Sequence, residues 1–490
     1  MLLLALTGIG VATLTLPWSA LSAADQCRVC HETLGDRPSS LFRRDVHASA
    51  GVTCAGCHGG DASTDDMDRA MDKNAGFLGV PKGDAVSRTC AGCHSSVEKM
   101  KGYRSSLRTG QSEALQASVH GQRTTSGAES ILQCTTCHSA HGIVRVKNPA
   151  SPVHPLNLVK TCAGCHSNAA FIRTYNPSLP VDQLEKYRTS VHGMRNAKGD
   201  AKAASCASCH GGHDILPAKD GKSRVHASNL PSTCATCHSD VEYMKGYGIP
   251  TDQFAQFSKS VHGVALLVKH DLSAPACNDC HVNHGATPPG VESISKVCGS
   301  CHALNADMFS ASPHKKAFDD LKLPECETCH GNHDIAAPTI TMLGVQDDAL
   351  CSRCHSRTER PRGFVVAAAM RSLLDSLGSS EAEARRLVED AEQKGMEISE
   401  AKFKLRDVRQ ARLETRTVVH SFNEEKFRAV AEKGLATAGV VRQEAELAIG
   451  EFFFRRIGLG VATLVITILV VVLFLYLRRI EARQRSTTKT

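Results

Sequence analysis

Residues Cys162 to His213 read CAGCHSNAAFIRTYNPSLPVDQLEKYRTSVHGMRNAKGDAKAASCASCHGGH. The stretch holds one five-residue pattern twice, C-x-x-C-H, at Cys162–His166 and Cys206–His210. Between them lies S-V-H-G (Ser190–Gly193), and His213 follows the second pattern by three residues. The order recurs at a fixed period: first cysteines at 90, 162 and 234 are 72 apart, and those at 134, 206 and 277 follow at 72 and 71. Such self-similarity makes the two-pattern unit the building block. Similarity extends beyond the cysteines, since VEKMKGY (Val97–Tyr103) returns as VEYMKGY (Val241–Tyr247).

Outward from this unit, all 22 cysteines of the 490-residue chain form eleven C-x-x-C pairs, each followed at once by histidine. They are Cys27, Cys30 and His31; Cys54, Cys57 and His58; Cys90, Cys93 and His94; Cys134, Cys137 and His138; Cys162, Cys165 and His166; Cys206, Cys209 and His210; Cys234, Cys237 and His238; Cys277, Cys280 and His281; Cys298, Cys301 and His302; Cys326, Cys329 and His330; and Cys351, Cys354 and His355. C-x-x-C-H is the attachment pattern of c-type haem: the thiols join the two vinyl groups and the adjacent imidazole becomes the proximal iron ligand. Four-thiolate zinc sites and disulfides explain the pairs but not a histidine after every one. Eleven covalently bound haems c are therefore expected. With 4% aromatic residues and one Trp, a bound cofactor is also the natural filler of the interior.

Thirteen of the 24 histidines lie outside the patterns. Four follow a proximal histidine by three residues: His141, His213, His284 and His333. Five occupy a short slot like S-V-H-G: His47, His120, His192, His262 and His314. Patterns starting at Cys27, Cys90, Cys162, Cys234, Cys298 and Cys351 are first-half sites, each expected to be followed by its slot. For Cys351 the later histidine is His420, in TVVHSF, so a helical insertion is expected to separate that motif from its ligand. The second-half site at Cys54 has Asp61 in place of a companion histidine, which leaves His154, His226 or His270 for its iron. Iron held by two imidazoles has no open position, so most of these centres are expected to move electrons rather than transform substrates.

The alternation C-x-x-C-H…S-V-H-G…C-x-x-C-H-x-x-H resembles the multihaem cytochromes c with doubled CxxCH motifs, especially the periplasmic pentahaem and decahaem electron wires of nitrite-reduction and extracellular-reduction pathways. The resemblance covers about residues 27 to 355. It implies a chain of bis-histidine haems in a mainly α, loop-rich fold. By position it implies the eleven motif histidines as proximal ligands, with His120, His192, His262, His141, His213, His284 and His333 first among the distal ones. The chain departs from the pattern in having eleven sites and a C-terminal anchor.

Residues 1–24 are apolar and end in small residues, as in a signal peptide, although the basic start is missing; an uncleaved anchor is the alternative. Residues 25–357 form the expected undecahaem domain. Residues 358–456 lack cysteine and carry apolar residues at helical spacing, for example Leu405, Val408 and Leu413, which predicts a helical stalk or hairpin. Breaks are expected at Gly378–Ser380, with Ser380 and Glu383 as a capping box, at Gly395, and at Ser421 with Glu424. Its expected role is support, with oligomerisation or docking as the functional alternative. Residues 457–477 are uncharged over about the length of a bilayer span. Arg455 and Arg456 precede the span, whereas Arg478, Arg479, Arg483, Arg485 and Lys489 follow it. This places residues 478–490 in the cytoplasm and the haem domain in the periplasm.

The net charge of +7 is spread along the chain without basic runs or stacking aromatics, which argues against nucleic acid as a partner. Two function classes remain. The first is a membrane-anchored periplasmic carrier between a quinol-oxidising complex or another cytochrome and periplasmic or outer-membrane acceptors. The second is a nitrite- or hydroxylamine-type reductase with one open haem. About 30 residues per motif are too few for a separate core around each haem.

Overall fold

The computed structural model describes residues 25–124, 127, 129–287 and 294–487. The expected signal peptide lies outside the described residues. The protein is 63% helical and contains no strands among the described residues, only an isolated bridge between Arg123 and Ser130. Two compact units divide it. One holds the residues up to Ile249 and the segment from Pro275 to Thr287; the other holds Pro250–Ala274 and the remaining C-terminal residues.

Helices in the first unit are short and end on the cysteine motifs: Asp84–His94, Cys134–His138, Pro155–His166, Cys206–His210, Leu230–His238 and Cys277–His281. Few apolar side chains are buried there. Met100 and Met244, the repeated methionines of VEKMKGY and VEYMKGY, are two of them. Both described clusters of buried apolar residues lie instead in the second unit, centred on residues 358–456.

That region is a three-helix bundle. A long helix, Pro361–Gln393, returns through Ser399–Val418 and is followed by Glu424–Thr487. Leu377, Val408, Val441 and Ala445 are completely buried between them. Three sequence expectations are corrected. The first helix runs unbroken through Gly378 and Ser380, because an internal glycine costs only about 1 kcal/mol and Leu374, Leu377 and Ala384 bury across it. Leu413 is largely exposed, while Leu405 and Val408 face the core. Asn423, not Ser421, caps the last helix by accepting the Lys426 N–H at 3.0 Å. The break at Gly395 is present, with φ +75° just past the helix end.

The last helix continues without interruption through residues 457–477, all exposed. It is the one helix among the described residues long and apolar enough to cross a membrane, and it fits a single-pass anchor.

Candidate haem centres

Placing C-x-x-C-H on a helix puts the cysteines at i and i+3 and the histidine at i+4, so both sulfurs and the imidazole leave from one face. At eight of the motifs the helix then stops on that histidine; the helix at His31 runs on to Thr33, and those at His302 and His355 end before it. Second-half sites turn sharply next, through Gly59, Gly211 or Gly331 at positive φ, and a Cβ on Gly59 would lie 1.9 Å from the Gly76 carbonyl oxygen. Val282 occupies this position with φ 64° and ψ 162°, a conformation that suits only glycine.

The S-V-H-G slot has an equally local cause. Ser190 Oγ donates to the Tyr187 carbonyl at 2.6 Å, closing one helix, and accepts the Gly193 N–H at 2.9 Å, opening the next. Ser260 repeats both bonds with Phe257 and Gly263, at 2.7 and 3.0 Å. The glycine is required sterically, since a Cβ on Gly121, Gly193 or Gly263 would meet a carbonyl oxygen at 2.0, 1.9 or 1.8 Å.

A backbone strut fixes four of the five slots in space. The N–H before the slot histidine donates to the carbonyl two residues beyond a companion histidine: Val46 to Ile143, Val119 to Ile215, Val191 to Ala286 and Val261 to Ile335, all at 2.8–3.0 Å. Slot and companion histidines are thereby mounted in twos: His47 with His141, His120 with His213, His192 with His284, and His262 with His333.

Seven of these, His47, His141, His120, His213, His192, His284 and His262, present their rings to a motif histidine, as do His314 and His420. Centroid separations are 5.9 Å for His47–His94, 6.0 Å for His58–His141, His120–His166, His138–His213, His210–His284 and His330–His420, 6.1 Å for His192–His238, 6.2 Å for His262–His302 and 5.9 Å for His314–His355. Haem fits this spacing. An imidazole nitrogen binds a transition metal at about 2 Å and its ring centre lies about 1 Å farther out, so two axial imidazoles place their centres ~6 Å apart. Directly hydrogen-bonded or stacked rings have no reason to hold one such distance nine times.

The sulfurs agree with this reading. In the first unit, six of the motifs line one cavity of about 2850 Å³, against the ~300–1,000 Å³ of a single small-molecule site. First cysteines lie beside one another in twos, Cys90 with Cys134, Cys162 with Cys206 and Cys234 with Cys277, and Cys298 with Cys326 in the second unit, bringing attachment points together. All 22 cysteines are free of disulfides. Among the described residues no cluster of three or more His, Cys, Asp or Glu is disposed to hold a bare metal ion.

Burial, and then the facing imidazole, pushes the pKa values of His120 and His192 down; the same causes take His314 to about 4. The neutral ring is the form that binds a metal. Ring orientation is set from behind: His58 Nδ1 donates to the Gly79 carbonyl at 2.7 Å, and His47 Nδ1 bonds Asp45 Oδ1 at 2.8 Å.

The arrangement differs from the sequence reading in who faces whom. A slot histidine stands against the next first-half motif, not the one before it. His420 therefore faces His330, while His355 faces His314. His58, whose partner was expected to be His154, His226 or His270, faces His141. His154 is buried at a helix start, its Nδ1 accepting the Leu156 N–H at 3.3 Å; His226 Nδ1 bonds Ser228 Oγ at 2.7 Å; and His270 is exposed. Sequence reading also missed the struts, which involve only backbone atoms.

Two family profiles match the chain. One described as cytochrome c3 covers residues 46–167 and 269–356, and one described as cytochrome c554 and c-prime covers residues 14–59. No curated protein matches it. The matched segments carry nine of the eleven CxxCH motifs, and together with the motifs they indicate that the chain is a multihaem c-type cytochrome with covalently bound haem, of a kind that transfers electrons.

Proposed function

We propose that this protein is a membrane-anchored periplasmic electron carrier with eleven haems c, passing electrons between a quinol-oxidising complex or another cytochrome and periplasmic or outer-membrane acceptors. One observation carries the reading: nine motif histidines each face a second imidazole at a single, haem-sized spacing. Haem supplies one-electron exchange at iron, and a second axial imidazole removes the position where substrate would bind. The residues themselves do the positioning: cysteine pairs fix the cofactor to a helix end, slot turns and companion tails hold the opposing ring, and the struts tie those two together.

The anchor supports attachment to the cytoplasmic membrane, and the excess of arginine after residue 477 supports a cytoplasmic tail with the motifs on the outer side. The test is spectroscopic. Detergent-purified full chain, matured with haem, should contain eleven haems by pyridine haemochrome assay and show predominantly low-spin ferric signals with reversible, multi-step redox titration. A protein with two or three haems, or a mainly high-spin one, would sink the carrier reading.

A further inference from the structure

We infer that the haem of the last motif, Cys351–Cys354–His355, has a more positive reduction potential than its neighbour at Cys326–Cys329–His330, so that an electron reaching this pair comes to rest on it. The inference deepens the carrier reading and rests on its haem assignment.

The two sites are neighbours in the second unit, with Cys329 beside Cys351 and Cys354. One turn of the stalk serves both. Its His420 faces His330, and two residues on, Phe422 lies against the ring of His314, which itself faces His355. The imidazoles are nonetheless set differently. His420 Nδ1 donates to the Thr417 carbonyl at 2.9 Å, a bond that makes the ring a stronger donor to iron. His314 Nδ1 and His355 Nδ1 are both buried without a hydrogen-bond partner among the described residues. Phe422 seals the first: its ring centre lies 3.8 Å from that of His314, and Phe318 stands at 6.0 Å. Gly363 covers the second, since a Cβ there would come within 2.1 Å of His355 Nδ1. Imidazoles with nothing behind them stabilise ferric iron less, and apolar surroundings disfavour the more highly charged state as well.

Charge points the same way. From Pro324 to Ala336 the chain carries Glu325, Glu327 and Asp334 with no lysine or arginine; from Cys351 to Phe364 it carries Arg353, Arg357, Arg360 and Arg362 against Glu359 alone. Lys315 answers Glu325 at 3.3 Å, and Arg360 Nη1 donates to the Cys354 carbonyl at 3.2 Å, which holds its charge at the last motif. Carboxylates favour the ferric state and guanidiniums the ferrous, so the field and the hydrogen bonds separate the two potentials in one direction. Transfer within the pair oxidises the iron held by His330 and reduces the iron held by His355, with no proton or further reactant. Phe422 is a positioning residue in this scheme, acting on iron through His314.

Potentiometric titration of the full-length, haem-loaded protein tests the order. The variants Cys326→Ala/Cys329→Ala and Cys351→Ala/Cys354→Ala should each lose one component of the curve, and the component lost in the second should lie positive of that lost in the first. The reverse order, or coincident potentials, would overturn the inference. Should a double variant fail to mature, Phe422→Asn gives an independent reading. Phe422 has φ 47°, a left-handed conformation that asparagine tolerates, and the smaller polar side chain admits water to His314 Nδ1. One component should then move to more negative potential with the haem content unchanged. An unmoved curve, or a positive shift, would overturn the inference. A preparation lacking haem would overturn the carrier reading instead, so the two failures are distinguishable.

Discussion

Gly193 and Val282 show how single positions set the haem sites. A methyl group on Gly193 would lie 1.9 Å from the Tyr187 carbonyl oxygen, so the turn that carries His192 must open to admit it. Gly193→Ala is expected to cost about 2 kcal/mol and to convert the His238 iron to high spin, read by thermal unfolding and electron paramagnetic resonance. Val282 works in the other direction. Its φ and ψ carry strain of order 1–3 kcal/mol, and glycine fills the equivalent position at residues 59, 211 and 331. Val282→Gly should raise the melting temperature while leaving the haem spectrum unchanged. The sequence showed the serine, histidine and glycine of the slot as a recurring unit, but not why the glycine is there, because the carbonyl it approaches belongs to the preceding helix.

Among the elements, the stalk has the most to lose from a single substitution and the most unexpected duty. Its second turn, Val419–Ser421, delivers His420 to His330, and Arg416 and Arg371 bond the carbonyls of Pro338, Ile340 and Leu343 in the adjoining loop. Packing of the bundle therefore bears on an iron site. Leu377 is completely buried, and Leu377→Ala should destabilise the bundle by about 3 kcal/mol in denaturant unfolding, with a high-spin signal appearing as His420 loosens. Helical periodicity made this region legible from Val408 and the Gly395 break. It could not show that the helix runs through Gly378, since tertiary burial of Leu374, Leu377 and Ala384 decides that. Nor could spacing say which motif a slot serves: His120 and His192 each follow a first cysteine by 30 residues and precede the next by 42. Both distances are constant, and only coordinates choose between them.

Across the whole molecule, buried apolar area is distributed unevenly. Among the described residues, ten buried hydrophobic ones serve residues 25–357, whereas seventeen serve the much shorter stretch from 358 to 456. The motif-bearing region thus depends on its cofactors for a core, as small metal-dependent folds depend on their ion. Expressed without the cytochrome c maturation machinery, it should be degraded up to the bundle, leaving a protease-resistant fragment that begins near residue 358. A stable colourless full-length chain would contradict this. Cutting the chain after Phe452 should release a soluble protein with an unaltered visible spectrum, because residues 457–477 are all exposed and contain no His, Cys or Met.

The strut from Val119 to Ile215, repeated at Val46, Val191 and Val261, has a consequence for how such chains change length. Three of the crossbars span 95 to 97 residues and the fourth 74, and each is made of main-chain atoms alone, so it is indifferent to the side chains that flank it. Excision of one repeat between equivalent positions of neighbouring units, such as Val119 and Val191, re-forms the crossbar with an equivalent partner; a cut out of phase leaves a hanging rung. Array length is thereby free to drift in whole periods, and evolution can tune the reach of the conductor without redesigning a joint.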